Sequence, residues 1–249
     1  MPFFRKRRFD MRWFQNMKTA QKLILGFVLV AAMAGMIGIK GYIALEKSQM
    51  NFQDMYANRL VPIRDLGYAN AAFLRIRTEM RDILLTKDPV ERLKIKETIG
   101  EDTEILTKLI EEYSKTVLTK EEQETLPLLL DARSKYVPLR DKAIDLALKM
   151  NDAQALEVMN GDAAKYQLEV RQNLRKLIEI NAKIADEMND EVNKSAESTQ
   201  RFMVIIIAIG VIMAIALGLY IARTISTPLN RGVEFAQMIA RGDLTATID

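Results

Sequence analysis

Two arginines one helical turn apart are the residues of this chain best suited to bind a ligand. Arg77 and Arg81 are four positions apart, so on a helix they lie on the same side. Two guanidinium groups placed in this way can form paired hydrogen bonds to a carboxylate. Asn70 lies seven residues before Arg77 and shares its helix face, where its amide can assist. These three residues predict a binding site for a small anion, of which a carboxylate is the simplest.

The apolar pattern around Arg77 explains why this arginine is singled out. The stripe has two heptad positions, one held by Leu66, Phe73 and Met80, the other by Ile63, Asn70, Arg77 and Leu84. A guanidinium on such a stripe is costly to bury unless it is paired. Either Arg77 pairs with an acidic residue of a neighbouring helix, or it has no internal partner and binds an anionic ligand. Arg75 falls on the opposite face, where we expect it to be solvated.

The composition argues against several kinds of chemistry. The 249 residues include no cysteine and no histidine, which removes disulfides, thiolate or imidazole metal sites and nucleophile–histidine triads. The sequence also has no glycine-rich phosphate loop that follows a strand. We therefore expect no catalytic residues, no cofactor and no metal site. The net charge of +3 is small, and the basic cluster precedes an apolar run, which favours membrane orientation over nucleic-acid binding.

Two long apolar segments, 23–45 and 202–222, predict two transmembrane helices, since each reaches the roughly 20 residues that span a bilayer. The lead, 1–22, has seven basic side chains and one acidic side chain, which places it in the cytoplasm. Two spans return the chain to the cytoplasm at 223, so 46–201 lies outside the inner membrane. A cleaved signal peptide, suggested by "AMA" at 32–34, is the alternative. The length of the first apolar segment and the presence of the second disfavour it.

The outer segment, 46–201, has a helical pattern almost throughout. Its first helix should end near Thr86, and Pro89 suits the first turn of a second helix that runs to about Lys115. Thr119 and Glu122 form a capping box at the start of a third helix.

The second half of the outer segment completes the bundle. The third helix should reach about Met150 and bend at Pro127 and Pro138. The fourth should begin at Asn151 or Asp152, kink at "NG" (160–161) and continue into the second span. The fold class is thus all-α: two transmembrane helices flank an extracytoplasmic up-down-up-down four-helix bundle.

The closing segment, 223–249, carries a short apolar stripe of Ile225, Leu229, Val233, Ala236, Ile239 and Ala240. Such a stripe is too short to be stable alone and needs a partner helix. A membrane-surface anchor is the alternative, but it would need more basic residues on its polar face. Pro228 suits a helix that starts after a break at the membrane edge.

The motifs "PL" at 228–229 and "GDL" at 242–244, with Ala236 and Ile239, resemble the first helix and early connector of a HAMP signal-relay domain. The weaker "LVPIRDL" at 60–66 places a proline as such sensor modules do. The whole arrangement resembles the bacterial methyl-accepting chemotaxis receptors with a four-helix-bundle sensor. A complete HAMP domain has two helices per subunit, so we expect the chain to be cut within it.

The resemblance implies a chemoreceptor that is not an enzyme and acts as a homodimer, with its first bundle helix near the dimer axis. It also implies binding of small anions through arginines of that helix, and a link to a chemotaxis histidine kinase and its coupling protein. The same sensor and relay can precede a histidine kinase or a cyclic-dinucleotide synthase. The sequence that follows Asp249 would distinguish these alternatives.

Overall fold

A computed structural model describes residues 17–241, and this range is almost entirely helical and contains no strand. In chain order it consists of α1 (Thr19–Met55), a π-helical turn (Tyr56–Leu60), α2 (Val61–Leu85), α3 (Pro89–Ser114), α4 (Lys120–Leu148), α5 (Asp152–Asn160) and α6 (Asp162–Ala240). The all-α prediction is confirmed. Most of the basic lead and the "GDL" motif fall outside the described residues.

Local signals set most helix boundaries. The carboxylate of Asp88 caps α3 by accepting a 2.9 Å hydrogen bond from the backbone N–H of Val90. At the start of α4, the backbone N–H and the hydroxyl of Thr119 each donate to Glu122 at 2.7 Å, as the capping box predicts. Pro127 and Pro138 lie within α4 on its exposed face, where water can solvate the carbonyls that they leave unpaired.

Of two breaks predicted in the second half of the chain, one is present and the other is not. Gly161 separates α5 from α6, which confirms the kink at "NG". A Cβ at Gly161 would lie 3.2 Å from the carbonyl oxygen of Glu157, so a side chain would crowd this break. The expected break before Pro228 is wrong, because α6 continues through this proline to Ala240. Pro228 is exposed, so the carbonyl that it cannot pair is open to solvent.

The unit Lys47–Asn193 forms the four-helix bundle, with α5 and the first part of α6 together as its fourth helix. α2 packs most extensively on α3, and α4 on α5. The core consists of aliphatic side chains with a few aromatic ones, and Phe73 meets Tyr136 edge-on with ring centroids 5.6 Å apart. Its largest fully buried apolar side chains include Leu66, Phe73, Ile76, Met80, Ile83, Ile99, Ile110, Tyr113, Leu129, Tyr136 and Leu174.

A second unit contains the described parts of Met1–Glu46 and Lys194–Asp249. Each of its two helices contains an apolar stretch of 18 residues, with mean hydropathy 2.2 in the first helix and 3.0 in the second. Both helices are long and apolar enough to cross a membrane. They pack antiparallel, since Gly26 faces Leu217 and Gly41 faces Met203. The ammonium of Lys40 lies 5.9 Å from the centre of the Phe202 ring.

Candidate functional site

The buried face of α2 determines where the predicted ligand-binding residues lie. The heptad series Leu66, Phe73 and Met80 is buried as expected. The other series, Ile63, Asn70, Arg77 and Leu84, is only half-buried, because its places in the core are taken by Ala69, Ile76 and Ile83. The expected register is therefore wrong by one residue on that side of the stripe. Four-helix packing buries a face wider than a two-position seam, and a guanidinium is more stable at the rim, where it keeps part of its hydration.

From this rim Arg77 enters a groove between α2 and the fourth helix of the bundle. The groove encloses about 480 Å³. Arg77 and Arg81 are its charged lining residues, and Thr78, Asn160 and Gln167 add neutral polar groups. The rest of the lining is apolar and consists of Leu74, Met80, Leu84, Leu156, Met159 and Ala164. The groove thus combines positive charge with an apolar wall, which suits an anion that has a carbon skeleton.

Arg77 has no acidic partner within residues 17–241, so the first alternative, an internal ion pair, is not formed there. Its Nε is buried and makes no hydrogen bond. Arg81 is far more exposed, with 70% of its side chain accessible, and its Nε lies 3.7 Å from Asp82, the next residue. The structure therefore brings Arg77 and Arg81 into one groove with unused donors.

Asn70, the third predicted site residue, does not line this groove. It is half-buried about two helical turns away, and its Oδ1 is buried without a hydrogen-bond partner. Its distance from Arg77 is a consequence of the heptad spacing, which places residues on one face but about 10 Å apart along the axis. Asn70 cannot share a small ligand with Arg81 at this site.

A buried tyrosine lies behind Arg77 in the core. Tyr136 is 1% exposed, and its hydroxyl lies near Gln167 and Arg77 without a hydrogen bond of good geometry. Burial raises the pKa of Tyr136, although the positive charges of Arg140 and Arg77 oppose this shift. The hydroxyl stays neutral, so it supplies no negative charge to compensate Arg77.

Arg75 is not simply solvated, which corrects the expectation from the sequence. Its Nε donates to both carboxylate oxygens of Asp102 on α3, at 3.0 and 2.8 Å. Glu79, one turn further along α2, has a buried Oε2 without a partner. Burial and then the nearby charge of Asp102 raise the pKa of Glu79. Glu79 on α2 and Asp102 on α3 thus lie near each other, and neither lines the groove of Arg77 and Arg81.

Comparison with known proteins places the bundle in a family. Residues 16–196 match the family described as a four helix bundle sensory module for signal transduction. The chain belongs to this family of sensory modules. A protein of Acetivibrio thermocellus named as a sensory transducer is 30% identical over 165 residues, which is 66% of this chain and 30% of that protein. The sensory transducer protein YvaQ of Bacillus subtilis is 18% identical over 223 residues, 90% of this chain and 39% of YvaQ.

The chain spans about a third of the length of the curated relatives that it matches. Its match and theirs confirm the resemblance to the sensor region of methyl-accepting chemotaxis receptors. Members of this family act in signalling. In the part of the chain that the structure describes, no three acidic side chains cluster closely enough to hold a metal ion.

The sensory module also contains a polar cluster that sequence reasoning missed. Arg59, Tyr113, Glu122 and Asn181 come from the π-helical turn, α3, α4 and α6, and each is at most 6% exposed. The capping box identified Glu122, but nothing local indicated that Arg59 turns inward to meet it. The available signal was the heptad series itself, since Leu66, Phe73 and Met80 continue by sevens to Arg59.

Proposed function

We propose that this chain is the sensing part of a transmembrane chemoreceptor that binds a small carboxylate in the groove of Arg77 and Arg81. The observation that carries the proposal is the half-buried guanidinium of Arg77, which has a buried unpaired Nε and no carboxylate partner within residues 17–241. Partial burial without a partner is unfavourable. A bound carboxylate would remove this cost, because it can accept hydrogen bonds from the N–H groups along the edge of the planar guanidinium.

The groove also indicates what else the ligand contains. Leu84, Leu156 and Met159 form part of an apolar wall that can pack against a carbon skeleton. Arg81 can reach a second oxygen of the same carboxylate or a second carboxylate. The neutral amides of Asn160 and Gln167 can accept or donate hydrogen bonds to further polar groups. Small organic acids and amino acids fit this description.

Thermal shift with a panel of organic acids and amino acids tests the proposal on the bundle, 47–193. We expect one or more acids to raise the melting temperature of the wild type. Arg77→Ala should abolish that shift and leave the ligand-free melting temperature equal or higher, because an unpaired half-buried charge is removed. Loss of one charge-assisted hydrogen-bond pair should lower the affinity for the acid by roughly 10- to 150-fold.

Arg75→Ala is the matched control, since it removes an arginine of the same helix that lies outside the groove. We expect it to lower the melting temperature by breaking the contact with Asp102 and to keep the shift caused by the acid. An acid that stabilises wild type and Arg77→Ala equally would contradict the proposed site.

We place the bundle outside the inner membrane and both chain ends in the cytoplasm. The basic lead and the two candidate spans support this orientation. Single cysteines at Thr86 and Gly242 test it, because the chain has no natural cysteine. In intact cells a membrane-impermeant thiol reagent should label Thr86→Cys and not Gly242→Cys. The reverse labelling would invert the topology.

We further propose that the receptor is a homodimer and that 223–249 begins a HAMP relay to a chemotaxis kinase complex. Leu229, Val233 and Ile239 on the last part of α6 are 66%, 49% and 43% exposed. Apolar residues at this spacing need a partner helix, which a second subunit can provide. Coupling to the histidine kinase through the coupling protein would take place downstream of this relay.

A further inference from the structure

The groove of Arg77 and Arg81 contains positive charge and no negative charge. None of its lining residues within 17–241 is acidic. The carboxylate of Asp82 lies 3.7 Å from Nε of Arg81, but Asp82 is not part of the lining. Guanidinium groups only donate hydrogen bonds. Whether the groove also offers an acceptor near Arg77 therefore depends on its neutral groups, above all on the amide of Gln167.

The hydroxyl of Tyr136 determines which way this amide turns. Tyr136 is 1% exposed, and its hydroxyl lies near Gln167 without a hydrogen bond of good geometry. The charged side chains around the hydroxyl are Arg77, Arg140 and Asp141. The two arginines can only donate, and Asp141 is 53% exposed and accepts from Arg140 at 2.9 and 2.7 Å. Of these side chains, Gln167 offers the acceptor that the hydroxyl proton needs.

An amide that accepts at one end donates at the other. The two ends of a glutamine amide have nearly the same shape, so their neighbours decide the orientation. A buried hydroxyl is rarely left without a partner. The oxygen of Gln167 should therefore turn toward Tyr136, and its NH₂ group then points into the groove. Gln167 is half-buried and lines the groove, so a ligand can reach this NH₂ group.

Donors on this side of the groove distinguish between two kinds of small acid. A carboxylate accepts from Arg77 and from the NH₂ group of Gln167. In an amino acid the ammonium group is attached to the carbon next to the carboxylate, so it has to lie close to the same donors. Like charges placed together at a binding site are unfavourable, and a partly buried ammonium needs an acceptor. Thr78 and Asn160 add only neutral groups.

We propose that the groove of Arg77 and Arg81 selects organic acids that lack an ammonium group, and that Tyr136 is the positioning residue that holds Gln167 as a donor to them. This inference rests on the proposed function, because it concerns the ligand of the same groove. It narrows the ligand from small acids in general to acids without an amino group, such as 2-hydroxy acids. Tyr136 does not line the groove and acts through Gln167.

Pairs of ligands that differ only in this group test the selection. L-lactate and L-alanine share one skeleton, with a hydroxyl in the first and an ammonium in the second. L-malate and L-aspartate form a second pair, and 2-hydroxyisocaproate and L-leucine a third that extends toward the apolar wall. Isothermal titration calorimetry on the full chain in lipid nanodiscs gives both affinities of each pair. We expect the hydroxy acid of at least one pair to bind, and its amino acid to bind about tenfold or more weakly.

Tyr136→Phe tests the role of the hydroxyl. Without the hydroxyl, Gln167 can turn its oxygen into the groove and accept from an ammonium. The ratio of the two affinities should then fall by roughly 2- to 10-fold, which corresponds to one hydrogen bond. Gln167→Leu removes the amide altogether. In that background Tyr136→Phe should leave the ratio unchanged, because its effect passes through Gln167.

Tyr113→Phe is the matched control. It removes the hydroxyl of another buried tyrosine, which donates to Glu122 at 2.7 Å and does not line the groove. We expect it to lower the melting temperature and to keep the ratio of the two affinities. A change of stability alone is thereby separated from a change of selectivity.

Four results would overturn the inference. They are an amino acid that binds at least as tightly as its hydroxy acid, an unchanged ratio in Tyr136→Phe, the same fall in Tyr113→Phe, and a fall that persists in the Gln167→Leu background. If a hydroxy acid binds and Arg77→Ala abolishes its binding, any of these results refutes the inference and leaves the proposed site standing. If no member of any pair binds, both the inference and the proposed site fail.

Discussion

Replacing Arg92 with methionine removes the most extensively bonded buried charge of the bundle. Arg92 is fully buried, and its guanidinium donates to both oxygens of Asp152 at 2.6 and 3.0 Å. It also donates to the carbonyl oxygen of Thr86 at 3.0 and 2.8 Å and to that of Ala147. These contacts join the α2–α3 connection to the end of α4 and the start of α5. Methionine fills much of the same space without any donor.

The expected cost follows from what the substitution leaves behind. Breaking a buried ion pair from one side costs about 3–5 kcal/mol, because the other charge loses its partner. The side chain of Asp152 is 27% exposed and can recover some hydration, so we expect the lower end, about 3 kcal/mol. In a domain of about 150 residues this lowers the melting temperature by roughly 6–12 °C.

Lys87→Met is the matched control, because Lys87 contacts the same carboxylate at 2.8 Å with 77% of its side chain exposed. A solvent-exposed pair contributes about 0–1 kcal/mol. Urea unfolding of the bundle, 47–193, followed by circular dichroism, gives both values. Equal losses in the two variants would refute the argument that burial decides the energy of the contact.

The pH dependence provides a second check on Arg92. Hydrogen bonds from Arg92 and then Lys87 hold the pKa of Asp152 well below its usual range. A lowered folded-state pKa gives stability that is present above the unfolded pKa of about 4 and is lost as the pH falls through the folded value. The free energy of unfolding of Arg92→Met should therefore fall below that of the wild type by the largest amount at pH 7. In strong acid this difference should become smaller.

Two further substitutions should stabilise the bundle. Glu79→Gln should raise the melting temperature at pH 7, because burial and Asp102 raise the pKa of Glu79 and so penalise its charged form. This penalty is complete above the folded-state pKa and absent below the unfolded one, so the gain should disappear in a melting series taken into acid. Met150→Gly should add about 0.5–1 kcal/mol in urea unfolding, since Met150 has φ 61°, a left-handed conformation that favours glycine. Met150→Ala should bring no such gain, and equal effects of the two would exclude a backbone origin.

Much of the fold could be predicted from local sequence. Pro89 marks the start of α3, the capping box of Thr119 and Glu122 marks the start of α4, and Gly161 marks the break in the fourth helix. Each of these signals acts within one turn of helix, so neighbouring residues suffice to read it. The two candidate spans could be predicted in the same way, from the length of their apolar segments.

The partners of charged residues could not be predicted in this way. Arg75 contacts an acid 27 positions away, Arg92 one 60 positions away and Arg59 one 63 positions away. Nothing in the local pattern distinguishes an arginine with such a partner from one without. The π-helical turn Tyr56–Leu60 was missed as well, and its residues Asn58 and Arg59 contact the distant Val117.

The sequence by itself determined that the chain forms long helices, where most of them end, and that Leu66, Phe73 and Met80 point into a core. Hydrophobic periodicity and helix caps are local properties, so they can be read from the sequence without knowing which helices pack against each other. Only the tertiary structure decided that Ile76 and not Arg77 occupies the core, and that Arg77 and Arg81 meet Leu156 and Gln167 across a groove. A shift of one residue along an α-helix corresponds to a rotation of about 100° around the helix axis. The packing of the neighbouring helices determines which side chains face the core.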